Sequence, residues 1–200
     1  MTTRALACAA ALWVCCPAYA QVITFESNGL KYQTLTRGGV TVMFAHLPVH
    51  VRDFNILQVA VSNGSGRYYV IKPEDFTLVR SEDALTRAWP ARSVVSLLIE
   101  KGNRNDVIKL VSAYEAALYG SARMKSTNGY EQRRQAALAE VSSTRLKAAA
   151  AASAIALVQT RLAPGESTDG AVFFQTPDRR AALGRLVVRT NTDVFEFNAE

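Results

Sequence analysis

The apolar positions divide the chain into three stretches with different periods. From Val22 to about Arg80 they come in short runs separated by turn signals. Val22 to Phe25 and Lys31 to Leu35 flank Asn28-Gly29, a pair suited to the positive φ values of a tight hairpin turn. Gly38-Gly39 separates this hairpin from Val40 to Phe44. Ile56 to Ser62 is the clearest strand, alternating Ile56, Gln58 and Ala60 with Leu57, Val59 and Val61, and it ends at Asn63-Gly64-Ser65-Gly66. Tyr68 to Ile71, a turn at Lys72-Pro73-Glu74-Asp75, and Phe76 to Val79 complete the stretch. Turn signals spaced about ten residues apart between β-branched runs predict a sandwich or barrel.

After Trp89-Pro90 the period becomes helical. Val94, Leu97 and Leu98 follow Ser93, a plausible N-cap, and Gly102 is placed to end that helix. Val107, Leu110, Val111, Tyr114 and Leu118 share one face of a second helix, with Asn105 or Asp106 as its cap and Gly120 as its close. A polar loop, Ser121 to Gly129, leads to a third helix from about Tyr130 to Ser153, where Asn128 and Glu131 have the spacing of a reciprocal cap. Leu138, Val141, Ala149, Ala152 and Ile155 mark its apolar side. The run Ala148 to Ala152 combines high helix propensity with small side chains that let another backbone approach.

Strand character returns with Leu157 to Arg161, the turn Ala163-Pro164-Gly165-Glu166, and Asp169-Gly170 ahead of Ala171 to Phe174. Leu186 to Thr190 and Val194 to Phe197 pair naturally across Asn191-Thr192-Asp193. Neither strand group is large enough for a comfortable sandwich alone. If both share one core, the class is mainly β with an α insertion: residues 21–200 form a single β-sandwich domain interrupted by three helices at about 93–153. The alternative is an α+β sheet with helices on one face.

Two segments carry a resemblance. Leu162 to Ser167 followed by Gly170 to Phe174 resembles the late hairpin of small immunoglobulin-like domains in bacterial envelope proteins. Asn55 to Ser65 with Val70 to Phe76 resembles an earlier strand pair of the same domains. More closely, Leu35 to Val42, Arg104 to Val111 and Ser126 to Gln135 are similar to segments of a family of exported bacterial proteins to which no activity is attached. The resemblance covers most of the chain after residue 20. It implies an immunoglobulin-like β-sandwich and carries over no catalytic residue; the Cys-Trp-Cys pattern of antibody domains is missing.

The N-terminus changes this picture. Arg4 precedes an uncharged run from Ala5 to Cys16, broken by Pro17 and followed by the small-x-small sequence Ala18-Tyr19-Ala20. This predicts a signal peptide over residues 1–20 with cleavage before Gln21, hence a periplasmic or extracellular protein. Lipidation at Cys15 or Cys16 competes, although Trp13 and Val14 are not the small residues such signals prefer. Cys8, Cys15 and Cys16 are the chain's three cysteines, so the processed protein has no thiol for disulfides, metal or nucleophilic attack. Without Arg4, the 23 Lys+Arg become 22 against 17 Asp+Glu, a modest excess spread along the chain. That pattern suits anionic envelope surfaces and not a nucleic-acid partner. No later run is apolar enough for a transmembrane segment.

The inventory for chemistry is thin. His46 and His50 are four apart, but Pro48 lies between them and no Glu follows His46 as in zinc proteases, so they read as a strand end and its loop. Ser65 in Asn63-Gly64-Ser65-Gly66 follows a strand but has no helix behind it, unlike a nucleophile elbow. Glu74, Asp75, Glu82 and Asp83 read as turn residues. The most unusual polar stretch brings Arg123, Lys125, Arg133 and Arg134 to one helix-loop-helix junction, with Tyr130 and Gln132 between them. These four are the candidate surface for an anionic partner, such as envelope phosphates or an acidic protein face; a solvated surface with Glu131 pairing locally is the plainer account. No cofactor is implied. The expected function is therefore a noncatalytic, exported module of envelope or extracellular protein interaction. A hydrolase with a site between helices and sheet, or a small-ligand carrier, is the alternative.

Overall fold

The computed structural model describes residues 21–80, 84–100, 104–120, 126–139, 150–151, 153–176 and 184–199. The predicted signal peptide lies outside them. Strands β1 (Ile23–Ser27), β2 (Leu30–Arg37), β3 (Val40–His46) and β4 (Phe54–Asn63) form an antiparallel meander. Asn28 and Gly29 join β1 to β2 with φ of 49° and 73°, the two positive values that a two-residue hairpin of matching twist requires. The next strands are β5 (Tyr69–Ile71), β6 (Phe76–Val79), entered through a 3-10 turn at Pro73–Asp75, and β7 (Leu85–Arg87). Helices α1 (Ala91–Glu100), α2 (Arg104–Gly120) and α3 (Tyr130–Ala139) come next. Strands β8 (Thr160–Leu162), β9 (Ser167–Gln175), β10 (Gly184–Arg189) and β11 (Val194–Ala199) close the chain.

Strand order is β1-β2-β3-β4-β9 in a five-stranded sheet, β11-β10-β6-β7 in a four-stranded sheet and β5-β8 in a two-stranded one. Each therefore takes strands from both sides of the helical segment, as a shared core requires. The protein is mainly β, with antiparallel sheets and three described helices.

The five-stranded sheet is covered on both faces at β4 and β9, and this explains their composition. Leu57, Val59 and Val61 of β4 join Val172 and Phe174 of β9 in one buried cluster with Phe76, Leu78, Leu186, Val188, Phe195 and Phe197 of the four-stranded sheet. The alternate positions Ile56, Ala171 and Phe173 join Val94, Leu98, Val107, Leu110 and Tyr114 of the helices. A strand buried on both sides reads as a nearly continuous apolar run, as β4 does. The layers run sheet, sheet, helices, so the two alternative architectures read from sequence are combined: helices on one face, a second sheet on the other.

Several boundaries differ from expectation. Val94 N–H donates to Pro90 O at 3.2 Å, so α1 starts before Ser93 and that serine lies within the helix. Asp169-Gly170, expected ahead of the strand, is the middle of β9, paired opposite Ala60 and Val59. Glycine is needed there because a Cβ on Gly170 would lie 2.5 Å from Leu157 Cα, where the chain crosses the edge of β9. Leu157 N–H donates to Ala171 O at 2.9 Å across that contact. The short β7 had no clear signal in the sequence. Gly102, Val141, and Ala148, Ala149 and Ala152 of the alanine run lie outside the described residues.

Candidate functional site

Helices and sheet are joined by a polar knot centred on Asp169. This carboxylate is 2 % exposed and accepts the Tyr114 hydroxyl of α2 at 2.5 Å. Both its oxygens lie 3.3 Å from the Tyr130 N–H at the start of α3. An acidic side chain at a helix N-terminus satisfies an orphan donor and complements the helix dipole. The reciprocal cap expected from Asn128 and Glu131 is replaced: Asp169 receives Tyr130 N–H, and Gln132 Oε1 receives Gly129 N–H at 2.9 Å. Thr127 and Thr168 add bonds between the loop and β9, from Thr127 Oγ1 to Ser167 O at 2.9 Å and from Thr168 Oγ1 to Asn128 O at 2.6 Å.

The knot absorbs half of the expected anion surface. Arg133 turns inward: Nε donates to Ala154 O at 2.9 Å and Nη2 to Asp169 O at 2.8 Å. Burial lowers its pKa, while Tyr114 and Asp169 oppose that shift. Arg134 lies 3.6 Å from Glu115, whose carboxylate also accepts the Tyr130 hydroxyl at 2.5 Å. Arg133 is thus an internal strut and not part of a free surface. Arg123 and Lys125, like Glu82 and Asp83, lie outside the described residues. Burial above all, then Asp169, raises the Tyr114 pKa; burial and the Glu115 hydrogen bond raise that of Tyr130. Both phenols donate to buried or half-buried carboxylates, Tyr114 to Asp169 and Tyr130 to Glu115.

The other sequence candidates lie apart from this knot, and His46 Nε2 is buried without a hydrogen-bond partner. His46 and His50 have ring centroids 6.3 Å apart, and burial, then repulsion from His50, lowers the His46 pKa. Among the described residues no group of three or more His, Cys, Asp or Glu is placed to hold a metal ion. Ser65 Oγ donates to Asn63 Oδ1 at 2.6 Å, and Asn63 Nδ2 donates to Arg67 O and Leu162 O, so this loop is a bonded turn.

An open feature lies on the outer face of the four-stranded sheet. Strand alternation sends Leu78, Leu186, Val188, Phe195 and Phe197 into the core and leaves the intervening residues outside. The register aligns Leu85, Val79, Arg185 and Asn198 in one row across β7, β6, β10 and β11. Arg87, Thr77, Val187 and Glu196 form the next. Without Asn198, and together with Lys72, Glu74, Asp75 and Arg189, these residues line a groove of about 850 Å³. Its floor is Thr77, Val79 and Val187; its cations are Lys72, Arg87, Arg185 and Arg189.

Two of its three carboxylates are already engaged. Asp75 is 9 % exposed and accepts the Lys72 N–H at 3.0 Å; burial raises its pKa, with Lys72 and Arg87 pulling the other way. Glu196 pairs with Arg185 at 3.1 Å. That pair also borders a second groove of about 520 Å³, which continues over β11 to Lys31 and Gln33 of β2. This is the candidate site. The alternation Arg185-Leu186-Val187-Val188-Arg189 announces its cations, but only the register brings Arg87 beside them.

No helix among the described residues is long and apolar enough to cross a membrane. No family model and no curated protein matches the chain. Among solved structures, the yjhA protein from Bacillus subtilis is similar at 11 % identity and a TM-score of 0.37, over 89 % of this chain and 96 % of that one. At that level the likeness carries no argument, and the groove is interpreted from its own residues.

Proposed function

We propose that the chain is an exported, noncatalytic binding module: an immunoglobulin-like β-sandwich with a helical insertion, whose partner docks on the outer face of the four-stranded sheet. On this reading residues 1–20 are removed as a signal peptide and the protein works in the periplasm or outside the cell. The observation that carries it is the division of polar groups. Asp169, Tyr114, Tyr130 and Arg133 at the helix–sheet junction are bonded to one another and to backbone, while Lys72, Arg87 and Arg189 stand in an open groove. A hydrolase site between helices and sheet would need convergent, unspent acid–base groups; at this junction Asp169, Tyr114 and Tyr130 are each engaged, and Arg133 Nη1 is left without a partner. A groove with an apolar floor and a charged rim has the makeup of a contact surface.

The test places a photo-crosslinking residue at Thr77 in the groove, or at the exposed Ile108 of α2, in the full-length chain expressed in its native host. The reading expects a discrete adduct from Thr77, none from Ile108, and a processed protein starting at Gln21. Adducts from Ile108 alone, or none from either position, would sink it.

A further inference from the structure

We propose that the groove takes an extended acidic peptide, which adds as a strand to the outer edge of β7 and lays its carboxylates against Arg87 and its neighbouring cations. The inference rests on the outer face being the docking surface and names the chemistry of the partner. It starts from the backbone of β7. Ala88 N–H donates to Phe76 O at 3.0 Å, and Arg80 N–H donates to Ala84 O at 3.1 Å. In an antiparallel ladder the main-chain groups of alternate residues point to opposite sides. Ala84, Thr86 and Ala88 therefore spend theirs on β6, while Leu85, Arg87 and Trp89 direct theirs outward. Trp89 N–H confirms that direction by reaching Phe173 O at 2.8 Å. Among the described residues, the outward groups of Leu85 and Arg87 meet no partner strand, and Leu85 is 64 % exposed.

The competing edges differ. At the outer edge of β11, Val194 O accepts Arg37 Nη1 at 2.6 Å and Asn198 O accepts Gln33 Nε2. The outer edge of β9 is met by Leu157 N–H and Trp89 N–H. β1 is an end strand but carries Glu26 and no cation. Side-chain caps and crossing loops are common protections for strand edges; β7 has its short length, Arg87 and the nearby β9, which meets the chain at Trp89 but does not pair with β7.

The side chains then specify the occupant. Residues of an added strand that lie opposite Leu85 and Arg87 fall on the same outer face as those two. An apolar residue opposite Leu85 and a carboxylate opposite Arg87, two positions apart, meet complementary partners. Beyond Arg87 the groove offers Lys72 and Arg189, while Glu196 is held by Arg185 and Asp75 by the Lys72 amide. Glu74 is the remaining lining carboxylate. An alternating backbone of donors and acceptors matches a peptide, whereas a polysaccharide or phosphate would use the cations and ignore the edge. Main-chain bonds for affinity and alternate side chains for specificity are the usual division in strand addition.

The experiment uses the purified exported protein and fluorescent octapeptides in which every second residue alternates valine with glutamate, or valine with lysine, with threonine at the intervening positions, read by anisotropy. The acidic peptide binds and the basic one does not. Arg87→Glu and, separately, Arg189→Glu each weaken binding by at least about tenfold at low salt. Both residues are exposed, so circular dichroism is expected to show intact folds. N-methylation of alternate peptide amides on the edge facing β7 abolishes binding, and a sulfated oligosaccharide fails to compete. Equal binding of both peptides, no binding of either, indifference to N-methylation, or full competition by the oligosaccharide would each overturn the proposal. A Thr77 adduct without acidic-peptide binding refutes this chemistry while leaving the docking face intact; loss of the adduct removes both.

Discussion

Replacing Asp169 by alanine tests whether one buried carboxylate holds the helices to the sheet. The side chain is 2 % exposed and faces two donors, the Tyr114 hydroxyl at 2.5 Å and the Tyr130 amide at 3.3 Å. A hydrogen bond to a charged group contributes about 1.5–3 kcal/mol, and a buried donor left unpaired costs about 1–3 kcal/mol. Alanine orphans both donors and removes the carboxylate that offsets the burial of Arg133. Losing one member of a buried charged set costs about 3–5 kcal/mol. The expected loss for Asp169→Ala is therefore about 3–5 kcal/mol, a large part of the roughly 5–15 kcal/mol that holds a domain folded. Tyr114→Phe removes one donor and leaves Asp169 the Tyr130 amide, so it costs less, about 1–2 kcal/mol. The double variant should cost less than the sum by about 0.5–3 kcal/mol, because the two single changes break the same bond. Urea unfolding by circular dichroism measures all four species, provided the m values agree. Hydrogen exchange should show α2 and α3 losing protection in Asp169→Ala before β3 and β4 do. A loss below about 1 kcal/mol, or strictly additive variants, would refute the reasoning.

Burial raises the pKa values of Tyr32, Tyr69, Tyr114 and Tyr130 above the unfolded value of about 10. Their contribution is complete below about pH 10 and lost as pH rises through the folded values; urea midpoints should fall steeply there, less steeply in Tyr114→Phe, and an identical slope would count against the buried phenol. His46 is shifted the other way, by burial and then by His50. Its contribution is present above about pH 6.5 and lost as pH falls through the lowered folded value, so His46→Gln should flatten the acid limb of the stability profile. Gly170→Ala sets a Cβ against the Leu157 backbone and should cost about 1–3 kcal/mol or more, whereas Gly66, with nothing within 4 Å, should accept alanine with little change in thermal midpoint.

Much of the strand pattern was legible because it is local. Asn28-Gly29 and Gly38-Gly39 mark hairpins through their own φ requirements, and the period-two run in β4 is visible without any partner. The α2 face, too, follows from spacing alone. What escaped depends on distant segments. Asp169-Gly170 is placed ahead of its strand from sequence, and only β4 and Leu157 show it to be the strand position where two backbones approach. The cap of α3 was sought within four residues, but its acceptor comes from β9. Arg133 looks solvent-facing beside Arg134; the carbonyls of Ala154 and Asp169 that draw it inward belong to later parts of the chain. The groove was missed: Arg185 and Arg189 flank Val187 in the sequence, but Arg87 and Lys72 join them only through the register of β6.

The interleaving of early and late strands also constrains how the chain can be made. β4, β5 and β6 find their partners in β9, β8 and β10, on the far side of the helical segment. Loop closure over that span precedes any benefit from the pairing, so the sheets assemble slowly and late. Until the last strands have emerged, β4 and β6 are left with one edge uncovered and β5 with no partner strand, open to other chains. A chain truncated within the helices is then not a smaller domain but an aggregation template. If the chain is exported, as proposed, it would need to remain unfolded, or attended by a holdase, until its C-terminus had crossed.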